Sequence, residues 1–192
     1  MKSKENKKKE DLRVVKTKEI IRNTFKSMIL EMDYDYITIK ELTERAKINR
    51  KTFYLHYDSL DDLLLEIQDG YANIFMEKQI SYTNLEDMKY LIGLFFDSAN
   101  NEPLNEKILC SGSYRNISDR IIKKVMDYRK KTNRGAFSDN EAYENIIFAY
   151  YGANSAIIYR QWVADGKKLS LEEVKELAVN LVCNGLESIM KK

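Results

Sequence analysis

One proline and seven glycines in 192 residues leave this chain few places to turn. A sheet protein reverses direction often and needs such punctuation, so the scarcity predicts a mostly helical fold. With 44% hydrophobic and 32% charged residues the chain has globular rather than disordered composition. It contains no run of about 18 apolar residues, and its N-terminus, MKSKENKKKE, lacks the apolar stretch of a signal peptide. Cys110 and Cys183 lie far apart, with no CxxC pair and a single histidine in the chain. Neither a zinc site nor a disulfide framework is expected, no cofactor is implied, and a reducing cytoplasm is the natural setting.

Helical spacing organises the chain. Val14, Ile21, Phe25, Met28 and Met32 predict an amphipathic helix over 13–31 behind a basic flexible arm, 1–12. Thr38 and Glu41 form a capping-box pattern, with Ile37 and Leu42 at staple spacing around it. A second start follows at Asn49, flanked by Ile48 and Phe53. Two short helices, 38–46 and 50–57, joined by a few residues make a helix-turn-helix. Ser59 starts a third, with Asp61 and Asp62 in its first turn, where the helix dipole favours acid. Leu60, Leu63, Leu64, Ile67, Tyr71, Ile74 and Phe75 carry it to about residue 80. Asn84 caps the next helix, Pro103 opens a short one, and Ile117 to Tyr128 mark another over 114–131. Residues 139–165 are apolar on nearly every face, as in a helix surrounded by protein. Leu171 to Ile189 form a wide stripe on a last helix, 171–190. The expectation is an all-α chain of about nine helices. Its regions are an arm (1–12), a helix-turn-helix domain (13–58) and a helical body (59–192).

Charge divides the same way. Residues 1–57 hold 15 Lys and Arg against nine Asp and Glu, a net +6, while the remainder carries −4. A basic front on a mildly acidic body suits contact with a polyanion, although a solubilising basic tail would leave the same signature. The stretch KINRKTFYLHY, residues 47–57, sharpens the reading. Phe53 and Tyr57, four apart, face inward; Arg50, Lys51, Thr52, Tyr54, Leu55 and His56 form the outward surface. In a helix-turn-helix the second helix enters the major groove. Arg50 or Lys51 suits guanine O6 and N7, and Leu55 or the Thr52 methyl suits a thymine methyl. Tyr54 and His56 reach phosphates, and Thr38 reaches the same backbone from the other helix start. With the cap Asn49, the candidate DNA-contacting set is Thr38, Asn49, Arg50, Lys51, Thr52, Tyr54, Leu55 and His56. The plainer alternative is a solvated basic face.

The segment TIKELTERAKINRKTFYLHYDSLDDLL resembles the DNA-binding domain of the tetracycline-repressor (TetR) family of bacterial regulators. Thr38, Ala46, Ile48, Asn49, Thr52, Phe53, Tyr54, His56 and Tyr57 carry the match. The tail FAYYGANSAIIYRQWVADGKKLSLEEVKELAVNLV resembles the subgroup typified by the dihydroxyacetone-kinase operon activator, at Gly152, Trp162 and Gly166. The resemblance implies a sequence-specific transcriptional regulator. It would be a homodimer on a palindromic double-stranded DNA operator, with a small-molecule effector or a co-regulator protein at the body. Two positions depart from the family pattern. Lys47 stands where a turn glycine is usual and would carry left-handed strain. Leu60 stands where a lysine is common, which removes a phosphate contact.

For pairing, Gly152 and Ala156 allow close helix approach, and Tyr151, Ile158, Leu181, Leu186 and Ile189 supply apolar area for a four-helix interface. Both last helices as intrachain core is the alternative. Tyr82, Tyr90, Tyr114, Tyr128 and Tyr143 lie on helices that enclose the family's ligand pocket. Aromatics at helical spacing also read as core, and the ligand itself is not legible. An enzyme is disfavoured, because the lone histidine sits on the DNA face without a nucleophile or paired carboxylates. The remaining rival is an interaction module of the same fold, with weak or lost DNA binding, acting through a partner.

Overall fold

The computed structural model describes residues 12–77, 85–137 and 139–187. Within them lie nine α-helices and no strand. They are α1 (Leu12–Glu31), α2 (Ile39–Arg45), α3 (Arg50–Tyr54), α4 (Leu60–Glu77), α5 (Leu85–Asn101), α6 (Pro103–Cys110), α7 (Arg115–Thr132), α8 (Glu141–Ala164) and α9 (Leu171–Glu187). Short 3-10 turns cover Tyr34–Tyr36 and Gly112–Tyr114. The all-α expectation and the helix count therefore hold. Most of the basic arm, the Asn84 cap and Ile189 lie outside the described residues. The chain forms two compact units, Met1–Ile67 and Gln68–Lys192, divided within α4.

The first unit is built on α1. Its stripe of Ile21, Phe25, Met28 and Ile29 is fully buried, as are Leu42 of α2, Phe53 of α3 and Leu63 of α4. Ile37 and Leu42, the staple pair, are both buried, so the chain enters α2 with its direction set by apolar contact. Asp62 N–H donates to Ser59 Oγ at 3.1 Å, which starts α4 where the sequence places it.

In the second unit α5 packs on α9, α7 packs on α8, and α6 touches α5, α7 and α8. Aromatic rings fill the centre: Tyr159 meets Phe96 at 5.2 Å and Trp162 at 5.5 Å, both edge-on. Tyr159 Oη donates to Glu106 Oε2 at 2.5 Å, and Lys167 Nζ donates to the same oxygen at 2.7 Å. Burial and the Glu106 carboxylate push the Tyr159 phenol far above its usual range. Arg160 adds bonds to the Leu109 carbonyl at 2.8 Å and to Asp119 at 2.9 Å, tying α6 and α7 to α8. Ser170 and Glu173 form a full capping box at the start of α9, which the sequence reading passed over.

Candidate nucleic-acid interface

The helix-turn-helix is assembled from local bonds. Thr38 Oγ1 accepts from Glu41 N–H at 3.2 Å and starts α2. Only half of the expected capping box forms, because the Glu41 carboxylate accepts from Arg45 Nη2 at 2.8 Å instead of reaching back. At the other end of α2, Lys47 N–H donates to the Glu44 carbonyl at 3.2 Å and Ile48 N–H to the Thr43 carbonyl at 3.0 Å. Those two bonds define a Schellman turn. Lys47 occupies its left-handed position, φ 53°, so the expected strain is present. Asn49 Oδ1 then accepts from Lys51 N–H at 2.7 Å and starts α3.

α3 is shorter than the expected 50–57. The helix ends at Tyr54, and Tyr57, whose N–H still donates to the Phe53 carbonyl at 3.0 Å, sets its ring against Phe53 with centroids 5.8 Å apart. Glu66 of α4 holds this arrangement. Its carboxylate accepts from Arg22 at 2.9 Å and from Tyr57 Oη at 3.3 Å, and Lys18 stands 3.6 Å away. Burial, then the charge of Glu66, pushes the Tyr57 phenol up to about 12. The segment behind α3 is thus bolted to α1 and α4 through one carboxylate.

The outward surface follows from that fixing. Thr38, Asn49, Arg50, Lys51, Tyr54 and Leu55 are exposed, and Thr52 and His56 are half-buried. Leu55, 81% exposed, is an apolar side chain held in water at the end of α3. Cations on the helix-turn-helix and beside it fall into two groups. Lys18, Arg22 and Arg45 are engaged with Glu66, Glu31 and Glu41. Lys40, Lys47, Arg50 and Lys51 make no ion pair among the described residues. Lys40 and Lys47 were not singled out from the sequence as contact residues; Lys47 was marked there only as the residue in place of a turn glycine. Such a surface can hold phosphates and present side chains to base edges. No group of three or more His, Cys, Asp or Glu side chains that could hold a metal occurs among the described residues.

No family model matches the chain. Over 106 residues, 52% of its length, it is 31% identical to YxbF of Bacillus subtilis (strain 168), described as an HTH-type transcriptional regulator. That match spans only 28% of YxbF. Over 176 residues it is 26% identical to DhaS of Lactococcus lactis, the HTH-type dhaKLM operon transcriptional activator, covering 86% of this chain and 88% of that protein. Among solved structures, FadR from Bacillus subtilis in complex with stearoyl-CoA superposes with a TM-score of 0.69 at 15% identity, covering 87% and 98% of the two chains. A protein of Shewanella sp. PV-4 ascribed to the tetR family of transcription regulators gives 0.67 at 14% identity, covering 88% and 97%. The chain has the TetR-family fold.

The body carries a second candidate surface. Tyr143, Ile146, Tyr150 and Ile157 of α8 and Leu177 and Leu181 of α9 are exposed. Beyond Glu141, every exposed residue of α8 is uncharged. Residues named from the sequence for pairing fall on both sides of these helices. Tyr151, Gly152 and Ala156 are buried in the chain's own core. A Cβ on Gly152 would stand 2.7 Å from Met126 Cγ, so the close approach it permits is that of α7 to α8 within one chain. Leu181 is exposed, Ile158 half-buried, and the side chain of Leu186 lies outside the described set. Periodicity could not separate the two faces, because α8 is apolar on both.

Behind Gly152 lies an apolar cavity of about 70 Å³, lined chiefly by Leu91, Phe95, Ile122, Val125 and Met126. None of the five tyrosines expected around a ligand lines it. Tyr90 and Tyr143 are exposed, Tyr114 is buried elsewhere, and Tyr82 is outside the described residues. Tyr151 borders the cavity, with its hydroxyl donating to the Met88 carbonyl at 3.1 Å. No described helix is long and apolar enough to cross a membrane.

Proposed function

We propose that this chain is a sequence-specific DNA-binding transcriptional regulator. It acts as a homodimer on a palindromic operator and answers to an effector or partner at its helical body. Residues 13–58 serve as the reader and 59–192 as the body. One observation carries the reading: α3, fixed from behind through Phe53, Tyr57 and Glu66, turns Arg50, Lys51, Tyr54 and Leu55 outward with both cations free of carboxylates. Arg50 and Lys51 would read base edges, Leu55 a thymine methyl, and Thr38 and Tyr54 the phosphates.

A single reader of this size recognises few base pairs, so two copies about one DNA turn apart supply the remaining specificity. The uncharged strip of α8, continued by Leu177 and Leu181 of α9, supports pairing with a second copy. An apolar strip of that length is ordinarily covered. The cavity supports an effector with an apolar part, as does the fold's likeness to FadR, which was solved with stearoyl-CoA. At about 70 Å³ it accepts only a small group, so a larger ligand enters by displacing Met126 and parting α7 from α8.

Selection from a random duplex library at roughly physiological salt tests the reading, because non-specific binding is weak there. A palindromic motif with half-sites about a turn apart is the expected result. Recovery of no motif by folded protein would favour a partner-dependent interaction module instead.

A further inference from the structure

Four described residues adopt left-handed backbone conformations: Gly135, Gly166, Lys47 and Lys167. The glycines need no explanation. A side chain in this region meets the following carbonyl, so each lysine does. Lys167 is explained within the chain, since its ammonium reaches Glu106 at 2.7 Å and Asn100 at 3.0 Å and lies 5.1 Å from the Trp162 ring centroid. Lys47 has no such account. It is exposed, and its side chain makes no hydrogen bond or ion pair among the described residues.

The chain itself supplies the control. α8 ends in the same Schellman turn as α2, with Gly166 N–H donating to the Val163 carbonyl at 3.0 Å and Lys167 N–H to the Trp162 carbonyl at 2.9 Å. There the strained position, Gly166 at φ 74°, is glycine. In the turn of the helix-turn-helix the equivalent position is Lys47. Strained backbone positions cluster at functional sites, so a strained residue whose side chain makes no bond within the chain points to what that side chain does outside the fold. Lys47 stands two residues before the α3 cap and three before Arg50, so its Cα lies within roughly 11 Å of the reader's first cation. With Lys40, Arg50 and Lys51 it completes the set of cations left without carboxylates on the two short helices and their turn.

We propose that Lys47 is a DNA phosphate contact, kept at the turn despite the backbone strain because its ammonium holds the backbone beside the reading helix. It positions the reader and carries no sequence preference. The inference rests on the DNA-binding reading above.

The test uses the full chain and the duplex recovered from the random library. Lys47→Gly and Lys47→Asn remove the charge and suit the left-handed turn, while Lys47→Arg keeps the charge. Glycine is expected to hold or raise Tm by a few degrees, since relief of strain outweighs the entropy that glycine adds to the unfolded chain. Both neutral variants should bind every sequence more weakly. The slope of log K against log salt should become shallower by about 1 per protomer. Lys47→Arg should keep the wild-type slope. A Lys47→Gly protein of unchanged affinity and salt slope would overturn the proposal and leave Lys47 a merely tolerated turn residue. Wild-type protein that recovers no motif would instead overturn the DNA-binding reading, and this inference with it.

Discussion

Both units turn large apolar side chains to solvent, but in different company. Tyr54 and Leu55 stand among Lys47, Arg50 and Lys51, whereas Ile146, Tyr150 and Ile157 lie on a strip of α8 with no charge among its exposed residues. A cation-rich surface is well solvated and gains on meeting a polyanion by releasing counterions. An uncharged strip has no such compensation and is stable only when covered. The first surface is suited to a reversible, salt-sensitive contact and the second to a standing one. The supports differ too. Short, locally capped helices position the reader, while long packed helices position the body.

Each part of that comparison can be broken. Phe53→Ala empties a fully buried site under the reading helix and should cost about 3–5 kcal/mol. Hydrogen exchange should quicken across α1 to α3 with protection of α5 to α9 kept; equal loss in both would merge the two units energetically. Ile146→Asp puts a charge on the uncharged strip. Sedimentation should show dimer affinity falling by roughly 30-fold or more, the loss of about 2 kcal/mol typical of a central interface side chain. Unchanged association would move pairing to another face. Gly152→Ala drives a Cβ against Met126, a flexible side chain, and should cost about 1–3 kcal/mol in stability with association retained. Lost association at full stability would return Gly152 to the pairing surface. Finest of all, Arg50→Ala should relax one base position by about 1–3 kcal/mol. Tyr54→Phe should weaken all sites alike by about 1 kcal/mol. Affinity and base preference both untouched by the two changes would take the reader off α3.

The helix-turn-helix was largely legible because its signals are local. Thr38, Asn49 and Ser59 each accept the N–H two or three residues on, a bond that depends on little beyond their own segment. The left-handed strain at Lys47 was legible through the resemblance, which places a turn glycine at that position. Less legible was anything involving a choice between partners. Glu41 had its own cap and Arg45 within reach, and the guanidinium, already drawn to Glu31, took it. Glu66 bears no mark in the sequence, yet it joins Arg22, Lys18 and Tyr57.

α8 shows where the sequence alone stops. Its apolar girth predicted a helix surrounded by protein, because burying so many methyl groups and rings is favourable. The same girth erased the periodicity that tells an inner face from an outer one. Which side meets α7 was decided in three dimensions, where Gly152 alone lets Met126 approach. That choice turned Tyr151 and Ala156 into core and left Ile146, Tyr150 and Ile157 facing water. Helix starts, helix number and the basic character of the reader were written in residues a few positions apart. The buried clamp on α3, the cavity behind Gly152 and the outward strip of α8 depend on residues tens of positions apart, and only packing chooses among them.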